Sequence, residues 1–157
     1  MAHKRMNRKR AVVLASGVFD LLHLGHVRFL EEAKKAGGKN AELVVVVARD
    51  STVEKRKGAK PIMPEDQRRA LVESLKVVDE AVLGFEDFSL DDVIARIKPN
   101  VIVMGYDQKD MTKAVEEAIA RRGLKIRVVR VGKFGMDELD SSSEIKRKIV
   151  EEYKQHS

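Results

Sequence analysis

Residues 11–26 read AVVLASGVFDLLHLGH, a continuous apolar run followed by a glycine and then by the spacing His-x-Gly-His. The first part, Ala11–Ala15, is typical of a strand that is buried on both faces of a parallel sheet. Apolar residues at helical spacing follow in Leu24–Ala36, and Gly37-Gly38 ends that pattern. The stretch therefore predicts a buried strand that leads directly into a helix, which is the opening unit of an α/β fold.

The same alternation continues along the chain. Strands are predicted at Leu43–Ala48, Ala81–Leu83, Val101–Met104 and Ile126–Val131, and helices from Pro64 to about Lys76 and at Leu90–Ile97, Thr112–Arg122 and Glu144–Tyr153. The inward face of the helix after Pro64 is predicted to consist of Ala70, Leu71, Ser74 and Leu75. Arg49–Lys60 has no clear period and is predicted to be a cationic loop.

These elements indicate a Rossmann-like, doubly wound parallel sheet of about five strands with helices on both faces. The sequence contains no linker, repeat or low-complexity segment. We therefore expect residues 1–157 to form a single domain, with residues 1–9 as a basic, loosely ordered N-terminus.

Composition excludes several classes of function. The 157 residues are 43% hydrophobic and 36% charged, contain no Cys, and carry a net charge of +6 that favours anionic partners. The lack of Cys excludes disulfides, iron–sulfur clusters and thiol catalysis, and four His argue against a multi-histidine metal site. An aromatic content of 4% and the lack of a run of 18 apolar residues argue against base stacking and membrane insertion. We expect a cytoplasmic protein without nucleic-acid or membrane partners.

The region after the first strand has the features of a phosphate site. Gly17 allows a phosphate to approach the backbone, and free N–H groups are available at the start of the next helix. His23 and His26 are three residues apart, so both can donate to one phosphate, and Gly25 leaves space between them. Neither a dinucleotide-binding fingerprint nor a P-loop is present. The alternatives are two unrelated structural histidines, or a two-histidine metal site for which no third ligand lies nearby in sequence.

Four motifs resemble one known family. GVFDLLHLGH at 17–26 resembles the G-T-F-D-x-x-H-x-G-H signature of the cytidylyltransferase-like nucleotidyltransferases. KGAKPIMPEDQRRALVESLKVVDE at 57–80 is similar to the middle of glycerol-3-phosphate cytidylyltransferase, and closer still to the archaeal FAD synthases. GYDQ at 105–108 resembles that archaeal group, and the serines at 141–143 resemble the cluster that precedes the last helix in the family.

The resemblance implies a reaction in which a substrate phosphate attacks the α-phosphate of a nucleoside triphosphate and pyrophosphate leaves. The archaeal similarity implies that ATP and FMN are the substrates and FAD the product. A CTP-dependent cytidylyltransferase for glycerol 3-phosphate or another polyol phosphate is the alternative, and a non-catalytic nucleotide- or RNA-binding module is a third interpretation. Mg²⁺ or another divalent cation is expected to arrive with the triphosphate, with no protein metal site and no tightly bound prosthetic group. Family members commonly form homodimers, so a homodimer is the assembly that the resemblance permits.

The resemblance also assigns roles to individual residues. The catalytic residues would be His23, His26 and Lys57, with Lys60 and Lys55 as substitutes for the phosphate-binding lysine. The nucleotide would contact Gly17, Val18, Phe19, His23, Leu24, Gly25, His26, Asp107, Arg130, Ser142 and Ser143. The acceptor substrate would contact Lys60, Arg68 and Tyr106.

The alternatives without a role in binding or catalysis are a solvated cationic surface for the lysines, a helix-surface ion pair for Arg68, and ordinary packing for Tyr106. Asp20 and Asp50 are expected to hold loops through backbone N–H groups rather than to bind metal.

The sequence departs from the family pattern at two places. Val18 stands where the signature often has Thr, so no hydroxyl contact is available there. The family arginine before the serine cluster has no close match, and Arg130 is the nearest candidate. Residues 133–140 intervene between Arg130 and the serines, and this longer loop is expected to shape a different acceptor pocket.

Overall fold

The computed structural model describes residues 10–84, 89–133 and 141–156. The strands are β1 (Val12–Gly17), β2 (Glu42–Val47), β3 (Glu80–Leu83), β4 (Val101–Gly105) and β5 (Arg127–Val131). The helices are α1 (Leu24–Ala36), α2 (Asp50–Lys57), α3 (Glu65–Glu73), α4 (Leu90–Ile97), α5 (Lys109–Arg122) and α6 (Ser142–Gln155). The predictions for residues 1–9 and for the loop at 134–140 lie outside the described residues. Within the described ranges, no helix combines the length and the apolar character needed to cross a membrane.

The five strands form one parallel sheet in the order β3-β2-β1-β4-β5, so the predicted fold class is confirmed. The chain moves from β1 to one side for β2 and β3, and later to the other side for β4 and β5. The strand order therefore reverses between β1 and β4, the place where open parallel sheets bind ligands. β1 pairs with β2 over its full length, but with β4 over residues 13–15 alone.

The sheet is covered on both faces, as the continuous apolar runs predict. Alternate strand residues enter two separate cores because successive side chains point to opposite faces. The first core packs under α1 and α3, through Leu30 and Val72. The second packs under α4 and α5, through Ile94 and Val115. The start of α1, with its two histidines, is therefore positioned by a rigid, buried strand.

Three element predictions are wrong in part. The segment predicted as a loop at 49–60 contains α2, which its polar composition concealed because Val53 is its one buried residue. α3 ends at Glu73 rather than near Lys76, and its buried residues are Arg68 and Val72. α5 begins at Lys109, three residues before the prediction.

Candidate active site

The two histidines lie side by side at the start of α1. His23 is the extended residue before the helix, and His26 lies in its first turn. Their ring centroids are 3.7 Å apart with an angle of 28° between the planes, so the imidazoles are stacked. The Phe19 ring lies against them, 5.4 Å from the centroid of His26. The structure therefore brings together the two side chains that the spacing predicts to share one side of the helix.

Hydrogen bonding and burial fix the protonation state of His26. The His23 backbone N–H donates to Nδ1 of His26 at 3.3 Å, which leaves the proton of a neutral ring on Nε2. Burial, and secondarily repulsion by His23, lower the pKa of His26 to about 3, with Asp20 opposing the shift. His26 is therefore a neutral hydrogen-bond donor near pH 7.

The loop between β1 and α1 has an unusual backbone that a buried carboxylate holds in place. Phe19 and Leu21 have φ values of 55° and 51°, in the left-handed region that non-glycine residues rarely adopt. Between them, the Asp20 carboxylate is 5% exposed and accepts the backbone N–H groups of Ile62 and Met63 at 2.8 and 2.9 Å. This agrees with the expectation that Asp20 holds loops together.

Gly17, at the end of β1, is closely packed against the ring of Phe19. A Cβ atom at position 17 would lie 3.0 Å from two carbons of that ring, closer than side chains normally pack. The Phe19 side chain is buried, so what it can offer to a ligand is its backbone. Leu24, by contrast, is 45% exposed at the first turn of α1.

The serine cluster is joined to this loop. Ser141 caps α6 by accepting the backbone N–H of Glu144 at 3.2 Å. The Ser142 hydroxyl instead donates to the backbone carbonyl of Asp20. Ser143 is exposed. The last helix therefore begins beside the histidine loop, although 122 residues separate Ser142 from Asp20 in sequence.

Lys146, which is not among the predicted site residues, adds a cation to this junction. Its Nζ lies 3.7 Å from an Asp20 carboxylate oxygen. Lys146 lies four residues after Ser142 and therefore on the same face of α6. This spacing is the signal that could have identified it.

Arg68 lies beneath the site and contacts protein groups. Its side chain is 0% exposed, and Nη1 donates to the carbonyls of Val18 and Ala48 at 2.8 and 2.7 Å. Nε donates to the carbonyl of Met63 at 2.9 Å, and Nη2 to Asp50 at 2.7 Å. The guanidinium thus ties together the segments that follow β1 and β2. The alternative of a surface ion pair is wrong because the group is fully buried. The hydrogen bonds of Arg68 all go to protein groups, so this geometry does not support its predicted contact with the acceptor substrate.

A second ion pair connects the starts of α2 and α3. Glu65 accepts the Asp50 backbone N–H at 3.0 Å and pairs with Arg49 at 3.1 Å. The Glu65 N–H in turn lies 3.4 Å from the Asp50 carboxylate. The PEDQRR segment therefore acts as a scaffold at the end of β2, with both Asp50 and Glu65 holding backbone groups. An acidic residue in the first turn of a helix was the available signal for Glu65.

The predicted phosphate-binding lysines lie on the surface. Lys55, Arg56 and Lys57 form the last turn of α2, which ends at Gly58 with φ of 80°. Lys55, Lys57 and Lys60 are all exposed. Their assignment to phosphate stays a prediction.

Residues at the end of β4 fall into two groups. Tyr106 and Asp107 are exposed, and the Tyr106 ring is 49% exposed with Lys133 Nζ 6.0 Å from its centroid. Gln108, the last residue of the GYDQ motif, turns inward, and its Oε1 accepts the Gly105 N–H at 2.8 Å.

Arg130 lies on the wrong face of the sheet for its predicted role. Its guanidinium pairs with Glu116 of α5 at 3.1 Å. Its neighbours Val129 and Val131 pack on the other face, against the α1 core, because strand side chains alternate. The predicted contact of Arg130 with the nucleotide is therefore not supported by the position of its side chain.

The described residues offer little to a metal ion. Across 10–84, 89–133 and 141–156, no three His, Asp or Glu side chains are grouped so that they could hold one. The carboxylates of Asp20 and Asp50 already accept backbone N–H groups. The exposed carboxylate of Asp107 is available at the end of β4.

Comparison with known proteins gives close relatives over most of the chain. A model of the cytidylyltransferase-like family matches residues 14–148. A protein of Aciduliprofundum boonei named FAD synthase is 54% identical, with 88% of this chain and 90% of the relative covered. The FAD synthase of Methanothermobacter marburgensis is 50% identical, with 93% and 91% covered.

Two solved structures share the fold. One, titled a lipopolysaccharide core biosynthesis protein from Thermoplasma volcanium, has a TM-score of 0.72 and 44% identity, with 80% of this chain and 99% of that chain covered. The other, a protein of unknown function from Archaeoglobus fulgidus, has a TM-score of 0.61 at 21% identity, and covers 76% of this chain and 87% of its own. The second likeness concerns the fold alone.

Proposed function

This chain belongs to the cytidylyltransferase-like family, and from that premise we propose that it is an FAD synthase. An oxygen of the FMN phosphate attacks the α-phosphorus of ATP, the bond from that phosphorus to the bridging oxygen breaks, and FAD and pyrophosphate are formed. The observation that carries this proposal is the identity of 54% and 50% to proteins named FAD synthase, over about nine-tenths of each chain.

The state of His26 suits this reaction. The FMN phosphate is already anionic near neutral pH, so the nucleophile needs no general base. The step needs groups that stabilise negative charge as it moves to the departing pyrophosphate. An imidazole that stays neutral near pH 7 and carries its proton on Nε2 is such a donor. We assign this role to His26 and to the stacked His23.

The remaining contacts are assigned by position. The turn from Gly17 to Gly25 contributes backbone groups to the nucleotide, through the residues Gly17, Val18, Phe19, Leu24 and Gly25. Asp107 is assigned to the ribose or base, and Ser143 to the outer phosphates. Lys57 and Lys60 are assigned to phosphate, and the exposed ring of Tyr106 to a planar ring of a substrate. Arg68 and Ser142 support the site from within the protein, as their hydrogen bonds indicate.

Nucleotidyltransfer generally requires a divalent cation, and we propose that Mg²⁺ or another such ion arrives bound to the triphosphate. Mg²⁺ commonly keeps several water ligands. Its other ligands are substrate phosphate oxygens and one or two protein carboxylates. The carboxylates of Asp20 and Asp50 are engaged by protein groups, which fits a cation held mainly by the triphosphate and by water. When bound, the ion would neutralise charge on the phosphates. We also propose a single domain, a cytoplasmic location and a homodimer.

A direct assay tests the proposal. Purified protein with FMN, ATP and Mg²⁺ is expected to form FAD and pyrophosphate, measured by chromatography. A panel with CTP and glycerol 3-phosphate covers the cytidylyltransferase alternative, which the FAD synthase relatives do not favour. Turnover of CTP with glycerol 3-phosphate, without FAD at millimolar FMN and ATP, would overturn the proposal.

The histidine pair provides the matching variants. His23→Ala and His26→Ala are each expected to lower kcat roughly 10²-fold or more, because each removes a donor to the developing charge. His156→Ala, at an exposed position near the C-terminus, is the matched control and is expected to keep full activity. A binding module without catalysis would show no turnover in any of the four proteins.

A further inference from the structure

The side chain of Gln108 fills a gap in the sheet where the strand order reverses. The ladder between β1 and β4 ends at the pair Ala15 and Val103. Beyond that pair, the Gln108 Oε1 accepts the Gly105 backbone N–H at 2.8 Å, and its Nε2 donates to the Ser16 carbonyl at 3.2 Å. A side-chain amide therefore joins β1 to β4 at the place where backbone hydrogen bonds between the strands have stopped.

The backbone of Gln108 is itself held firmly. Gln108 precedes the first turn of α5, and its carbonyl accepts both the N–H and the hydroxyl of Thr112 at 2.8 and 2.7 Å. Thr112 is buried, and the Gln108 N–H bonds back to the Gly105 carbonyl at 3.2 Å. The amide is therefore a fixed spacer rather than a mobile surface group.

We propose that Gln108 is a positioning residue for the transfer of AMP, an inference that rests on the proposed function. The end of β1 carries Gly17 and leads to the histidine pair, whereas the end of β4 carries Tyr106 and Asp107. One nucleotide has to reach both strand ends in the proposed site. Gln108 sets the distance between them without contacting the substrate.

The chemistry of the gap selects an uncharged amide. One neighbour is an N–H donor and the other a carbonyl acceptor, so the bridging group needs an acceptor and a donor on adjacent atoms. A carboxylate would place a charged oxygen against the Ser16 carbonyl, but a protonated carboxyl group again offers one acceptor and one donor. Gln108→Glu therefore converts the bridge into one that depends on pH. Gln108→Met has a similar length and removes both hydrogen bonds at every pH.

Charged groups around the bridge are shared by the wild type and the variants. Asp107, Lys109 and Asp110 flank Gln108 in the chain and are exposed, and the histidine pair follows β1. Because these groups are present in all the proteins, the ratio of variant to wild-type activity cancels most of their contribution. Partial burial and the facing Ser16 carbonyl disfavour the charged form of the introduced carboxyl, and protonation restores a donor toward that carbonyl.

The experiment compares kcat/KM for ATP in Gln108→Glu and the wild type, at saturating FMN, from about pH 8 to about pH 5.5. We expect the variant to be about tenfold slower at the upper end and to recover to within about twofold at the lower end. Gln155→Glu, the same change at an exposed residue of α6, is the matched control and is expected to equal the wild type throughout. Circular dichroism confirms that each protein is folded under every assay condition.

Several outcomes contradict the inference. A ratio near one at every pH in folded Gln108→Glu, or a change confined to thermal stability, means that Gln108 only supports the fold. If Gln108→Glu does not fold at high pH, Gln108→Met decides the matter: wild-type kcat/KM overturns the inference, and a pH-independent loss supports it. If the wild type itself makes no FAD, the proposed function fails. Calorimetric binding of a non-hydrolysable ATP analogue then tests the spacing by the same pH comparison.

Discussion

At the scale of single residues, His26 shows which properties a sequence pattern carries and which it does not. Residues three apart in a first helical turn share one side, so the juxtaposition of His23 and His26 follows from spacing alone. The protonation state does not, because it depends on burial and on the bond from the His23 N–H. Burial is produced by Phe19 and the rest of the loop, whose left-handed backbone no local motif specifies.

The low pKa of His26 predicts a stability that depends on pH. The pKa of the folded protein, about 3, lies below the ordinary 6.5, so the unfolded chain binds more protons between these values. The contribution to stability is complete above about pH 6.5 and is lost as the pH falls toward the folded value. His26→Gln is expected to reduce the slope of unfolding free energy against pH by up to about 1.4 kcal/mol per pH unit between about pH 6 and pH 4.

Urea unfolding at several pH values measures this slope, and the difference between variant and wild type removes the contribution of the carboxylates. His156→Gln is the matched control, because that side chain is 77% exposed and pairs with Glu152. Equal slopes in His26→Gln and the wild type would show that His26 titrates normally in the folded protein.

At the scale of elements, the strands are the most predictable part of the chain and the segment after β2 the least. A strand buried on both faces must be apolar throughout, which makes runs such as Leu43–Ala48 recognisable. α2 buries Val53 alone and therefore lacks an apolar stripe. In α3, the inward position belongs to Arg68, a residue type that periodicity counts as outward, and the predicted inward residues Ala70 and Leu71 are exposed.

Arg68 is expected to be one of the residues on which the stability of the site region most depends. Arg68→Lys keeps the charge, but one ammonium group cannot reach Met63 on one side and Val18 and Ala48 on the other. The change should lower the free energy of unfolding by about 3 kcal/mol, because buried acceptors and Asp50 lose their partner. Denaturant unfolding measures the loss.

The neighbouring arginine provides the comparison for this effect. Arg69 lies on the same helix, contacts the Ala81 carbonyl and Glu73, and has a side chain that is 32% exposed. Arg69→Lys should cost less than about 1 kcal/mol. A cost for Arg68→Lys no greater than this would contradict the buried network described above.

At the scale of the whole molecule, the topology rule indicates which end of the sheet carries the candidate site, but not which side chains enter it. The ends of β1, β2 and β4 do carry the candidate residues, as the strand order requires. Arg130 was assigned from sequence proximity to the serines, and it lies on the α5 face because alternation along β5 places it there. The link from Ser142 to Asp20 spans most of the chain and has no local signal.

The net charge of +6 predicts that ATP is attracted to the site electrostatically. The exposed turn Lys55–Lys57 lies on the helix that follows β2, and its field attracts a triphosphate over a distance that salt shortens. Raising NaCl from about 0.05 M to about 0.5 M should increase KM for ATP about threefold or more, with little change in kcat.

Lys57→Gln should raise KM for ATP at low salt and weaken its dependence on salt. Lys39→Gln makes the same charge change at an exposed residue just before β2, at the end of the sheet where the strands begin. It should behave nearly like the wild type because Lys39 is far from the strand ends that carry the candidate site. Identical salt profiles for Lys57→Gln and Lys39→Gln would mean that ATP is attracted by overall charge and that Lys57 makes no phosphate contact.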